Sequence, residues 1–149
     1  MAAPRSTTER RAAAEEKLRA THADAWVATG SDQAAHLVPL SYAWDGTQVI
    51  LATEEGSVTV RNLRAGAHAR LALGGTRDVV MIDATLETIA SGDAAAEVAE
   101  RYAGQADWDP RLATGAFVYL LLRPRRVQVW REANEIAGRT VMRDGSWIE

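Results

Sequence analysis

Apolar and polar positions alternate in short runs along most of this chain, and turn residues separate the runs. Residues 24–29 (DAWVAT) read as a strand closed by the turn signal Gly30-Ser31-Asp32. Residues 35–44 (AHLVPLSYAW) and 47–53 (TQVILAT) flank Asp45-Gly46, a pair that tolerates positive φ, so they predict a hairpin. Pro39 cannot donate to a ladder, which places it at an edge, a bulge or a gap facing a ligand. Residues 68–73 (HARLAL) and 77–89 (RDVVMIDATLETI) flank a turn at Gly74-Gly75-Thr76, and the second is rich in β-branched residues. Residues 115–122 and 124–130, divided by Arg123 and Pro124, predict two more strand segments.

Helical patterning interrupts this series. Residues 6–20 (STTERRAAAEEKLRA) are strong helix formers with Ser6 or Thr7 as cap, but they carry few large apolar residues. That predicts a peripheral helix, or one that packs by an alanine face. Residues 92–104 predict a second helix, opening at Gly92 or Asp93 and ending at Gly104. A third, shorter one starts at Gly56 or Ser57 and runs to Ala65, with Gly66 as a left-handed stop. The tail, 131–149, mixes a short helix, an Asp144-Gly145 turn and a terminal apolar pair.

Short sequential strands joined by hairpin turns favour an antiparallel sheet over repeated βαβ units, and closing it into a barrel removes its edges. The fold expected is mainly β with flanking helices. The run Phe117 to Leu122 (FVYLLL) lacks polar alternation, so both faces of its strand are buried, by a dimer interface or by a covering helix. A length of 149 residues suits one domain over 1–149, with a helical segment in 1–22 and a tail in 131–149.

Composition removes several function classes. A formal net charge of −3 argues against a general nucleic-acid binder. There is no cysteine, which excludes disulfides, thiolate metal sites, iron–sulfur clusters and a cysteine nucleophile. No apolar run is long enough to cross a bilayer as a helix, and the N-terminal arginines precede no apolar stretch; the expectation is a cytoplasmic protein without a membrane partner. His22, His36 and His68 are scattered, which disfavours a structural metal site. No G-x-S-x-G elbow is present. Asp78 and Asp83 fall on opposite faces of a strand, so an acidic pair for proton transfer is not expected there.

The stretch 53–66 (TEEGSVTVRNLRAG) holds the most suggestive chemistry. A helix start leaves backbone N–H groups unpaired and carries partial positive charge, which suits a phosphate. Ser57 and Thr59 add hydroxyls, and Arg61 adds a guanidinium whose fork fits phosphate oxygens. The plainer reading has Ser57 as an N-cap, Val60 and Leu63 packed inward, and Arg61 and Arg64 solvated. Thr59 does not share a helical face with Ser57 and Arg61, and Glu54 and Glu55 bring negative charge.

The ordered series AWVAT (25–29), HLVPLSYAWDG (36–46), VILAT (49–53), SVTVRNL (57–63), HARLAL (68–73) and RDVVMIDATLETI (77–89) resembles the pyridoxamine 5′-phosphate oxidase-like split-barrel superfamily, over roughly residues 20 to 131. The resemblance implies a six-stranded antiparallel split β-barrel and a homodimer. It also implies FMN or the deazaflavin coenzyme F-420 at the subunit interface, with haem a lesser candidate. By position, the coenzyme ring would lie along Val38, Pro39, Leu40, Ser41 and Thr53. The phosphate would meet Ser57, Thr59 and Arg61 with Asn62 at the edge, and Trp130 and Arg131 would reach the site from the partner subunit. Many relatives carry basic residues where Thr59 and Ser57 stand here, so this corner holds less positive charge. Vitamin B6 oxidation is not expected, because relatives with that chemistry have a longer substrate-binding tail. The implied activity is hydride transfer between flavin or deazaflavin and a small organic substrate. The alternative is a non-catalytic carrier or sensor of flavin or haem. No catalytic side chain is assigned.

Overall fold

The computed structural model describes residues 2–149. In chain order the elements are α1 (Thr7–Arg19), β1 (Asp24–Gly30), β2 (Ala35–Trp44), β3 (Val49–Glu54), α2 (Val58–Gly66), β4 (His68–Leu73), β5 (Val79–Ala90), α3 (Ala96–Gln105), β6 (Phe117–Trp130), β7 (Thr140–Arg143) and β8 (Ser146–Trp147). The strands lie in the order β3-β2-β1-β4-β5-β6-β7-β8, and β3 also pairs with β6. Strands β1 to β6 therefore close into the six-stranded antiparallel barrel, and β7 and β8 add a C-terminal hairpin to β6.

Strand alternation separates two apolar layers. Val27, Tyr42, Leu51, Leu71, Ile82 and Leu120 point into the barrel and are almost fully buried. On the outer side of β2, β3 and β6, Ala43, Ile50, Ala52 and Tyr119 pack under α3 against Ala95, Ala99 and Tyr102. This explains the missing polar alternation in VILA and FVYLLL: one face fills the barrel and the other packs under a helix of the same chain.

Helix α1 packs more deeply than its composition suggests. Its N-terminus carries a reciprocal cap, with Glu9 N–H donating to Ser6 Oγ (3.1 Å) and Ser6 N–H to Glu9 Oε2 (2.6 Å). Ala14 and Leu18 enter the barrel core, and Tyr42 Oη donates to the Lys17 carbonyl at 2.6 Å. Neither reading is realised as stated: the helix is not peripheral, and its buried face is Arg10, Ala14 and Leu18 rather than a run of alanines, with Ala12 exposed.

Several boundaries differ from expectation. β6 is one continuous strand through Arg123 and Pro124. A register shift between Asp83 and Ala84 lets Pro124 pair with Ala84 and leaves Arg125 opposite no residue of β5, which is where a strand tolerates proline. The second helix begins as a 3-10 turn at Gly92–Ala95 and continues to Gln105, whose side chain explains the extra residue. Gln105 Oε1 accepts from Trp44 N–H (2.8 Å) and Nε2 donates to the Leu18 carbonyl (2.7 Å), joining α3, β2 and α1. The left-handed stop after α2 is Ala67 (φ 58°), not Gly66, and Ala67 N–H donates to the Leu63 carbonyl at 2.8 Å. The Asp144-Gly145 turn is present with both residues at positive φ, as a two-residue hairpin requires.

Candidate functional site

The barrel is split between β2 and β3. Only Tyr42–Trp44 of β2 pairs with β3, through Val49–Leu51. Beyond that, Ala52–Glu54 of β3 continues along β6 alone, while residues 35–41 of β2 pair only with β1. Pro39 sits in this one-sided half of β2, where its missing N–H costs no ladder bond.

Strand parity divides the residues singled out along this cleft. Val38 and Leu40 share the inward face of β2 with Tyr42 and are half-buried; Thr53, also half-buried, has the inward parity of Leu51 on β3. Pro39 and Ser41 lie on the outer face instead. Ser41 Oγ is already committed, donating to Asp24 Oδ1 at 2.9 Å.

β3 ends at Glu54 and the chain turns into α2. Ser57 is the N-cap, its Oγ accepting from Val60 N–H at 3.2 Å. The first-turn amides of Val58 and Thr59 have no intrahelical acceptor. Thr59, Val60, Asn62 and Leu63 form the buried face, and Asn62 Nδ2 donates to Thr29 Oγ1 of β1 at 3.1 Å. Thr59 is only 2 % exposed, so its side chain supports the corner from beneath. Arg61 is exposed, and among the described residues it makes no ion pair or side-chain hydrogen bond. Arg64 lies 3.6 Å from Glu55 and offsets one of the two neighbouring carboxylates. Ser57→Ala should destabilise the fold by about 1 kcal/mol through loss of the cap. Urea unfolding measures it, and an unchanged midpoint would show that α2 is held by its buried face alone.

Trp130 and Arg131 lie far from this corner within one chain. β6 begins opposite Glu54, beside α2, and ends with Trp130 opposite Val79 at the α1 end of the barrel. Arg139 stacks 5.9 Å from the Trp130 ring, and Arg131 Nε donates to Asp78 Oδ1 at 3.1 Å.

The outer face of the barrel carries a feature that sequence reasoning missed. Trp26 and Leu37 are 51 % and 59 % exposed on adjacent strands, beside Pro39. Their alternation with buried residues marks them as outward-facing, a signal that was legible once β1 and β2 were paired. On the same outer face, Asp83 bridges Arg70 and Arg126 across three strands. Burial alone would raise the Asp83 carboxyl, but the two guanidinium hydrogen bonds outweigh it and hold the group below the ordinary carboxylate range.

Among the described residues, no group of His, Asp and Glu is arranged to hold a metal ion. His36 is half-buried on the inward face of β2; His22 and His68 are exposed. No helix among the described residues is long and apolar enough to cross a membrane.

The family model for pyridoxamine 5′-phosphate oxidase matches residues 12–131. Solved structures share the fold at low identity. An F-420 reductase is 17 % identical with a TM-score of 0.60, over 76 % of this chain and 94 % of that one. A haem-binding protein from Mycobacterium smegmatis is 17 % identical with a TM-score of 0.66, over 93 % of this chain and 58 % of that one. A FAD-binding protein from Mesorhizobium loti is 16 % identical with a TM-score of 0.57, over 78 % and 90 %. No curated protein matches in sequence.

Proposed function

Because this chain belongs to the pyridoxamine 5′-phosphate oxidase family, we propose that it is a flavin- or deazaflavin-dependent oxidoreductase. FMN or coenzyme F-420 would lie along the open half of β2, with its anionic group at the start of α2. The observation that carries this reading is the coincidence of three features: a strand released from its neighbour, a helix N-terminus at that opening, and an exposed Arg61 with no partner among the described residues.

The residues present fit an anion held chiefly by backbone. The amides of Val58 and Thr59 and the Arg61 guanidinium are the available donors, while the Ser57 hydroxyl serves the helix cap. Asn62, tied to Thr29, fixes α2 against β1 and so sets where those donors stand. Val38 and Leu40 supply an apolar wall that keeps water from the ring, and Thr53 supplies a polar edge. A bound coenzyme of this class supplies hydride transfer at its tricyclic ring; the chain contributes binding, orientation and a dry pocket.

A second copy of the chain completes this proposal. The apolar outer patch of Trp26, Leu37 and Pro39 supports a homodimer, and a partner could bring its own Trp130 and Arg131 to the α2 corner. Sedimentation of the purified protein tests this part, and a monomer at high concentration would remove it.

Titration with FMN, F-420 and haem, followed by absorbance and fluorescence, tests the main reading. Arg61→Ala should weaken flavin or deazaflavin binding by about 1–3 kcal/mol, on the order of 5- to 150-fold, with circular dichroism unchanged. Equal affinity would return Arg61 to a solvated helix face, and a protein that binds none of the three would end the proposal. One observation favours a second reading, a non-catalytic haem or flavin carrier. His36 is half-buried beside Val38 in a corner with little positive charge. Haem binding that His36→Ala abolishes, without turnover of reduced flavin or F-420, would select it.

A further inference from the structure

On the far side of β6 from the barrel interior, a cleft of about 560 Å³ lies between the start of α3, the turn at Pro110–Leu112 and the first residues of β6. It shares no lining residue with the proposed coenzyme corner. Tyr119 lines it and is 4 % exposed, yet its hydroxyl has no hydrogen-bond partner among the described residues.

The neighbouring polar groups are already engaged. Tyr102 Oη accepts from Trp108 Nε1 (3.0 Å) and donates to the Ser41 carbonyl (3.4 Å). The Arg111 guanidinium is held by Asp109 (2.8 Å) and Glu100 (2.7 Å). The Tyr119 ring packs edge-on against Tyr102 at 5.7 Å, a contact that phenylalanine would make equally well. The hydroxyl thus adds nothing to the fold and carries the cost of an unmade hydrogen bond. Burial raises its pKa above the ordinary phenol value, so at neutral pH it is a donor awaiting an acceptor.

The walls restrict what that acceptor belongs to. Gly92, Ala96, Ala99 and Gly115 are small and leave the space open, and Phe117 offers an aromatic face. The one cation lining the cleft, Arg111, is neutralised by its two carboxylates, and Asp93 adds negative charge, so an anion is disfavoured. We propose that this cleft binds a small neutral aromatic carbonyl compound, whose oxygen accepts a hydrogen bond from Tyr119 and whose ring lies against Phe117.

Acetophenone, and ethylbenzene as the same body without the oxygen, are the probes, titrated into the full chain and read by amide chemical shifts. Acetophenone should give saturable shifts at residues 92–99 and 110–119. Tyr119→Phe should weaken it about tenfold, keep Tm equal or higher, and leave any ethylbenzene binding unchanged. Ala96→Trp, at an exposed position on the cleft mouth, should block acetophenone with Tm retained. Absence of saturable shifts in the wild-type protein, shifts confined to other regions, or equal affinity in Tyr119→Phe would each overturn the proposal.

Discussion

Glu135→Ala is expected to destabilise the fold by about 3–5 kcal/mol, the cost of removing one partner from a buried ionic network. Glu135 is 3 % exposed, and its carboxylate accepts from Arg5 N–H (2.8 Å), Arg5 Nε (3.0 Å), Arg5 Nη2 (2.8 Å) and Arg131 N–H (2.8 Å). Arg10, itself 5 % exposed, lies 3.9 Å away and donates to the Glu135 and Arg5 carbonyls. Alanine would leave the Arg5 guanidinium and two backbone amides without their acceptor and Arg10 without its countercharge, at the point where the N-terminal segment meets the C-terminal tail. Urea unfolding at neutral pH measures the loss, and one below about 1 kcal/mol would mean that water substitutes for the carboxylate.

The same carboxylate predicts an acid limb. Hydrogen bonds from Arg5 pull the Glu135 pKa down to about 2 from an ordinary 4.5. A depressed carboxylate pKa adds stability that is fully present above the unfolded value and is lost as pH falls through the folded one. Stability should therefore decline between about pH 4.5 and 2, and Glu135→Gln should flatten that part of the profile. An unchanged slope in the variant would assign the acid limb to other groups.

Leu120→Ala should cost about 2–5 kcal/mol. Leu120 is fully buried at the barrel centre, opposite Leu51 on one side and Ile89 on the other, so the surrounding strands cannot collapse into the space without breaking two ladders. A lower midpoint with an unchanged denaturant slope is the expected signature. A loss under 1 kcal/mol would show that the barrel interior relaxes freely there. Its neighbour Tyr119 serves the opposite layer, and truncating it to phenylalanine should cost nothing. That contrast separates the two faces of one strand.

Local chemistry carried much of this fold. Strand β2 (Ala35–Trp44) and strand β4 (His68–Leu73) begin and end where alternation and turn residues place them, because those signals act over a few residues. The Ser57 cap and the burial of Val60 and Leu63 were legible for the same reason. The expectation of two strands around Pro124 failed because a bulge, set by the partner strand, absorbs the missing donor. The length of α3 depended on Gln105, whose three partners come from α1, β2 and the chain just after α1.

The candidate site divides along the same line. Residue types at 57–62 marked a helix start with an arginine close by, since both are sequence-local properties; that this corner receives an anion is the proposal. Which side chains face it was a tertiary matter. Pairing with β1 turned Pro39 and Ser41 outward, helix packing buried Thr59, and the run of β6 carried Trp130 to the opposite end of the barrel. The sequence by itself determined most strands, the Ser57 cap and the hairpin turns, because backbone sterics and hydrogen bonding between near neighbours suffice for them; it did not place the stop after α2 or the continuity of β6. Barrel closure, the split between β2 and β3, the Glu135 network and the unpartnered Tyr119 hydroxyl were decided only in three dimensions. Each depends on contacts between residues far apart in the chain, whose geometry no local pattern encodes.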